Sequence, residues 1–517
     1  MRLVDYLDKG ASLDRDAACL TTGDDEHSYD DVQRLSFRVG QALQRSGVWP
    51  GDKVAILAAN DPVAFSCVFG ISRAGAVWCP INPRNEAAEN RELLDLFDCT
   101  ALIYQQAFAP LVDQIRYQLP KLTVLVCLET EFNAWLADVP DEPWQADPPD
   151  GAGHDIVMIA GTGGTTGRPK GVVLTGANLE AMTSIVLMSY PFRGRPVYLA
   201  LAPLTHAAGV LCFPMLTLGG QIVVLRNPDL GDFLDALAKY RVTHTFLPPT
   251  LIYLLLDKPE LAATDRSLLQ CFWYGAAPMS ATRLEQALAT IGPVMAQLYG
   301  QTEAPMMIST MAPDEHFHED GTPATERFAS AGRPAPLVTV AIMDDDGRLL
   351  ARGERGEIVV RGSLVTPGYY KDPEATAHAR RGQWHRTGDI GYLDNDNYLF
   401  IVDRAKDVII TGGFNVYSAE VEQVLLSHPS VRDCAVIGVP DDKWGERVVA
   451  VLEARSGLDV DALRAYVRGR IGGVKTPKQL EIWTELPRSK VGKVLKAEVK
   501  KLLLGSEPNP ARPLPNS

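Results

Sequence analysis

Short apolar runs recur along this chain with helical patterns between them, and that alternation constrains the fold more than any single residue does. VAILAAN (54–60), TALIYQ (100–105), KLTVLVCL (121–128), PVYLALAPL (196–204), GQIVVL (220–225) and HTFLPPT (244–250) read as buried strands. From Tyr29 to Gly47, Val32, Leu35, Val39 and Leu43 recur at helical spacing, and Gly47 stands where a C-cap belongs. Strands alternating with helices bury both faces of a largely parallel sheet, so the expected fold class is α/β.

The texture changes twice. Between 330 and 402, AIMDDDGRLL, GEIVVRG and GYLDNDNYLFIVD read as hairpins with Asp/Asn/Gly turns, which predicts a smaller β subdomain. After Asp403, helix SAEVEQVLLSHP, strands CAVIGVP and RVVAVLEA, helix DVDALRAYVRGRI and strand QLEIWTEL form an α+β unit large enough to fold alone. At 517 residues the chain is too long for one core. The expected organisation is a large N-terminal domain at 1–403, a connector at 404–406, a small C-terminal domain at 407–504, and a Pro-rich, disordered tail at 505–517.

A net charge of -14 argues against a protein that reads nucleic-acid backbone, and it makes any polyanionic ligand depend on local basic spots. The eight cysteines are scattered without C-x-x-C spacing, as expected of reduced thiols in a cytoplasmic protein. The opening MRLVDYLDKGASLDRD is charged throughout and lacks a signal peptide's apolar segment. No apolar run approaches the roughly 20 residues of a membrane span.

One basic spot lies in MIAGTGGTTGRPKGVVL, where glycines and threonines leave the backbone bare beside Lys170. Closely spaced amides, hydroxyls and one ammonium can replace the water shell of a phosphate chain. The loop is neither a Walker A motif, because Arg168 and Pro169 separate Gly167 from Lys170, nor a dinucleotide fingerprint, because Thr166 replaces the third glycine.

Further on come YGQTE from Tyr299, WHRTGD from Trp384, DRAKD from Asp403 and LPRSKVGK from Leu486. Each alone is compatible with a turn or a capped helix start. Together and in this order they resemble the adenylate-forming superfamily of acyl-CoA synthetases, peptide-synthetase adenylation domains and luciferases, over nearly the whole chain. The resemblance implies ATP, Mg²⁺ and CoA as co-substrates. It assigns the phosphates to Thr162, Gly163, Gly164, Thr165, Thr166, Gly167 and Lys170, with Ala160 where the family usually has an aromatic residue.

By the same resemblance Glu303 and Thr165 are metal ligands, Thr302 touches the α-phosphate, and Gln297, Tyr299 and Gly300 lie by the nucleotide. Gly275, Ala276 and Ala277, in YGAAPMS, form the adenine wall. Asp389 takes the ribose hydroxyls with Arg404 in support. Lys493 reaches the carboxylate during adenylation. Lys406 is the hinge whose rotation exchanges Lys493 for Gly412 and Gly413 beside the CoA pantetheine arm.

His206 in PLTHAAG, with Gly209, Tyr274 and Gly275, is expected in the acyl pocket, His206 as a gate. The small and apolar residues after His206 predict a hydrophobic acid. No aspartate stands near YGAAPMS to hold an amino group, so a free amino acid is disfavoured. The implied activity is an ATP-dependent acid:CoA ligase acting on a fatty, aromatic or alicyclic acid, with acyl-AMP as intermediate. A carrier-protein acceptor, a luciferase-like oxygenase, a silent acyl or nucleotide sensor on the same fold, and a homodimer all stay open.

Overall fold

A computed structural model describes residues 1–146, 156–162, 169–455, 457–488 and 494–505. Among these residues two sheets dominate. One holds six strands in the order Val124–Cys127, Cys99–Tyr104, Lys53–Leu57, Val77–Ile81, Ile156–Thr162 and Lys170–Thr175, parallel except for the last pair. The other holds nine, and its parallel centre runs Met295–Gln301, Cys271–Gly275, His244–Leu247, Val197–Ala200, Gln221–Val224 and Ala18–Thr22.

Helices fill the space between the sheets. The helix Tyr29–Arg45 starts on a reciprocal cap: the Asp31 amide donates to Ser28 Oγ at 3.1 Å and the Ser28 amide to Asp31 Oδ2 at 2.9 Å. Val32, Val39 and Leu43 are buried in the shared core, and Gly47 ends the helix at φ +88°. The neighbouring helix Pro62–Arg73 is capped by Asp61. Each sheet's other face carries its own apolar layer. Helices Leu230–Lys239, Pro249–Leu256 and Ala281–Ile291 cover the nine-stranded sheet, and Ala87–Leu96 and Ala109–Ile115 cover the six-stranded one.

The run HTFLPPT is a strand only to Leu247. Pro249 then occupies the first turn of a helix, where its missing N–H costs nothing.

Residues 339–404 form an antiparallel sheet in which Trp384–Leu393 pairs with both Gly356–Arg361 and Leu399–Arg404. A short 3-10 turn, Ala405–Asp407, leads from that sheet to another built on Val431–Asp441 and Gly445–Ala454. Helices Ser418–Leu426 and Val460–Lys475 cover one face of this last sheet. The fold is therefore mixed α/β with a large N-terminal and a smaller C-terminal domain. No helix among the described residues is long and apolar enough to cross a membrane.

Candidate active site

Three motifs that lie far apart in sequence meet at one edge of the nine-stranded sheet. YGQTE is a β-hairpin tip: strand Met295–Gln301 turns at Thr302 and Glu303 into the antiparallel strand Ala304–Met311. From it the Tyr299 hydroxyl donates to Asp389 Oδ2 at 2.6 Å, across 90 positions of sequence. Burial first, and then the adjoining carboxylate, hold the Tyr299 phenol well above its ordinary value, so it remains a donor.

Asp389 is 3% exposed and accepts from Arg404 Nε at 2.7 Å, while Arg404 itself stays half-exposed. The hairpin is tied to the Asp389 strand a second time. Gln301 Nε2 donates to the Thr387 carbonyl at 3.1 Å, and Gln301 Oε1 lies 3.2 Å from His385 Nε2. Burial pushes the His385 imidazole down to about 4, so this link is neutral at physiological pH. A buried carboxylate held in place by a phenol and a guanidinium is chemically suited to accept from vicinal hydroxyls, because both its oxygens are acceptors only.

Glu303 is half-buried. Its backbone carbonyl accepts from the Thr366 amide at 2.7 Å, and its Oε1 accepts from the Tyr369 hydroxyl at 2.8 Å. The Tyr369 ring also lies under Lys170, whose Nζ is 5.0 Å from the ring centroid. Lys170 opens its strand directly opposite Thr162 in the antiparallel register. Gly163, Gly164, Thr165, Thr166, Gly167 and Lys493 lie outside the described residues, as do residues 506–517 of the expected tail.

The remaining wall is backbone and small side chains. Ala276 is exposed at φ +65°, a conformation that is strained for a residue with a Cβ and recurs at functional sites. Ala277 beside it is half-buried. A Cβ at Gly275 would fall 2.3 Å from the Leu298 carbonyl oxygen, and one at Gly300 would fall 2.5 Å from the Met306 backbone. Gln297 Oε1 is buried and has no hydrogen-bond partner among the described residues. An orphaned acceptor beside bare backbone and a carboxylate with hydroxyl-binding capacity fits a nucleoside. Lys170 and the hard oxygens of Glu303 fit phosphates with Mg²⁺.

The residues expected in the acyl pocket are not alike in position. Tyr274 is completely buried in the layer behind the nine-stranded sheet, with its hydroxyl 2.9 Å from His316 Nε2. Only its backbone is left to offer a ligand. His316 donates through Nδ1 to the Ala312 carbonyl at 3.0 Å, which makes Nε2 the acceptor for Tyr274, and burial pushes this imidazole down to about 4.

His206 is half-buried, with Nδ1 2.8 Å from Thr205 Oγ1, and stands just before the short helix Ala207–Val210. Gly209 has a local reason to be glycine: a Cβ there would fall 1.9 Å from the Leu204 carbonyl oxygen. Lys406 is exposed in the turn Ala405–Asp407. Gly412 and Gly413 form the exposed tip of the hairpin Ile409–Thr411/Phe414–Val416 at φ +57° and +81°.

Sequence reasoning passed over Tyr369, Gln301, His385 and Asp403. The first lies in GYYKDP, where two tyrosines in a row give no hint of which one meets Glu303 and which one Asp98. Asp403, buried beside the connector, accepts from the Ser418 amide and from Ser418 Oγ at 2.8 Å; Lys496 Nζ donates to the same hydroxyl at 2.6 Å.

The family model described as AMP-binding enzyme matches residues 7–370, and the one described as AMP-binding enzyme C-terminal domain matches residues 420–493. A medium/long-chain-fatty-acid–CoA ligase of Mycobacterium tuberculosis is 34% identical over 483 residues, covering 89% of this chain and 83% of the relative. A feruloyl-CoA synthase of an Amycolatopsis species is 35% identical over 495 residues, covering 95% and 97%. Among solved structures, an amide bond synthetase from Marinactinospora thermotolerans superposes with a TM-score of 0.88 at 31% identity, over 96% of this chain and 99% of that one.

Proposed function

The chain belongs to the AMP-binding enzyme family, and we propose that it is an acid:CoA ligase whose acid is hydrophobic: fatty, aromatic or alicyclic. It is an adenylate-forming enzyme whose co-substrates are ATP with Mg²⁺ and CoA. The observation that carries the assignment of the nucleotide site is the buried Asp389 carboxylate, held between Tyr299 and Arg404.

A carboxylate cannot yield its oxygen to a thiol, because the leaving group would be oxide. In the first half-reaction an acid oxygen forms a bond to the α-phosphorus while the bond to pyrophosphate breaks. In the second, the CoA sulfur attacks the acyl carbon, AMP leaves, and the thiol proton is released. Both steps depend on positioning and on cancelling charge.

In this reading Asp389 accepts from the ribose hydroxyls and fixes the α-phosphorus relative to the hairpin tip. Thr302 donates to an α-phosphate oxygen. Lys170, with Thr165 and the backbone of its loop, offsets charge on the departing pyrophosphate. Glu303 is the side chain that would hold Mg²⁺, which when bound would supply charge stabilisation for the phosphates. Lys493 neutralises the incoming carboxylate. The C-terminal domain then turns about Lys406, bringing Gly412 and Gly413 to the thiol's path.

The hydrophobic acid rests on the residues around His206. Ala208, Val210, Leu211 and Cys212 are buried and apolar, and the relatives named above are called a fatty-acid–CoA ligase and a feruloyl-CoA synthase. Buried thiols throughout the chain agree with action in the cytoplasm.

The deciding experiment measures pyrophosphate release with ATP and Mg²⁺ over short, long, aryl and polycyclic acids, each with and without CoA. Release confined to one acid class, with turnover only on adding CoA, is the expected result. Turnover with an amine or a carrier protein but not with CoA would reassign the acceptor, and amines belong in the test because of the likeness to an amide bond synthetase.

A further inference from the structure

The segment Thr366–Lys371 crosses the strand Lys170–Thr175 and reaches both Lys170 and Glu303. Its backbone is sewn to that strand: the Val173 amide donates to the Gly368 carbonyl at 3.1 Å and the Tyr370 amide to the Gly171 carbonyl at 2.7 Å. It is sewn to the hairpin tip through the Thr366 amide and the Glu303 carbonyl, and the Tyr369 amide donates to Thr376 Oγ1 at 2.9 Å.

The next two side chains anchor it from outside. Tyr370 donates to Asp98 Oδ2 at 2.9 Å, and Lys371 pairs with the same carboxylate, which Lys121 also engages. Against the burial that would raise it, these donors hold Asp98 down at about 2, so the anchor stays charged at physiological pH. Tyr369 is thus fixed before and after, with its hydroxyl on Glu303 Oε1 and its ring under Lys170.

We propose that Tyr369 is a positioning residue for adenylation, orienting the Glu303 carboxylate toward Mg²⁺ while its ring face holds the Lys170 ammonium at the phosphates. This rests on the assignment of Glu303 as the Mg²⁺ ligand. A phenol bound to Oε1 fixes the carboxylate plane and leaves Oε2, which has no other hydrogen bond among the described residues, for the ion. Hydrogen-bond partners of metal ligands typically set affinity by 10–100-fold. The ring adds a separable contribution, because a cation over an aromatic face is attracted by the quadrupole whether or not a hydroxyl is present.

The test compares Tyr369→Phe, Tyr369→Leu and Glu303→Gln in the full chain. Equilibrium ATP binding is measured by calorimetry across a Mg²⁺ titration without acid, and thioester formation is measured from supplied acyl-AMP. Tyr369→Phe should raise the Mg²⁺ concentration for half-maximal binding by about 10-fold or more. It should leave Mg²⁺-free ATP binding and thioester formation unchanged. Tyr369→Leu should additionally weaken Mg²⁺-free binding by about two- to fivefold.

If Tyr369→Phe follows the parent's Mg²⁺ titration while Glu303→Gln does not, the proposal fails and the metal assignment stands. If Glu303→Gln also follows the parent, the assignment itself falls and takes the proposal with it. Equal loss of both half-reactions in Tyr369→Phe would mark a general structural role and overturn the proposal.

Discussion

Replacing Asp389 with asparagine separates binding from folding more cleanly than any other single change at the site. The carboxylate is 3% exposed, and its two oxygens are engaged by Tyr299 at 2.6 Å and Arg404 at 2.7 Å. Hydrogen bonds from sugar hydroxyls to an ionised acceptor contribute about 1.5–3 kcal/mol each. Two such bonds give roughly 3–6 kcal/mol. Asparagine retains one acceptor oxygen and turns a donor toward the other hydroxyl, so about 3 kcal/mol should be lost, roughly 100-fold in the ATP dissociation constant.

The folded state should notice much less. The amide oxygen still accepts from Tyr299, and Arg404, half-exposed, turns to water at a cost of about 1 kcal/mol or less. Calorimetric ATP binding without acid, paired with thermal unfolding, measures both effects. ATP affinity within threefold of the parent would refute the ribose assignment. A collapse in stability alongside weak binding would show that Asp389 serves the fold first.

Lys493→Ala should slow acyl-AMP formation by about 100-fold or more, as expected for one electrostatic stabiliser, while thioester formation from supplied acyl-AMP continues; equal loss in both assays would remove its role. Lys406→Pro, in the turn between the two domains, should spare adenylation and depress thioester formation, and survival of both half-reactions would place the pivot elsewhere. His244, His316 and His385 are each pushed down to about 4, by burial before any other cause. Between roughly pH 6.5 and 4 the unfolded chain therefore binds protons that the native chain refuses, and stability falls as pH falls through that window. The thermal midpoint should drop steadily from pH 7 to 4.5, and a flat profile would contradict the burial of these imidazoles as neutral groups.

Much of the architecture was written locally. Apolar runs and helical spacing predict layered α/β because hydrophobic periodicity acts within a few residues, and Ser28, Asp31 and Gly47 bound their helix by contacts within their own turns. The loop at 162–170 and the motif order were visible for the same reason, since a motif is a short-range pattern. Reading an isolated Glu303 as a first-turn helix residue would have failed, because Thr302 and Glu303 turn between two strands.

What no local pattern contains is which side chains meet across the chain. Tyr299 and Asp389 are 90 positions apart, and Tyr369 and Glu303 are 66 apart. The glycine at 275 is required by the carbonyl oxygen of Leu298, and the Tyr274 hydroxyl meets His316 in the core. Sequence fixes residue type and period, which determine the elements. Only the packing of two sheets on a shared helical layer, and the strap from Thr366 to Lys371 laid across one of them, decides which carboxylate faces which hydroxyl.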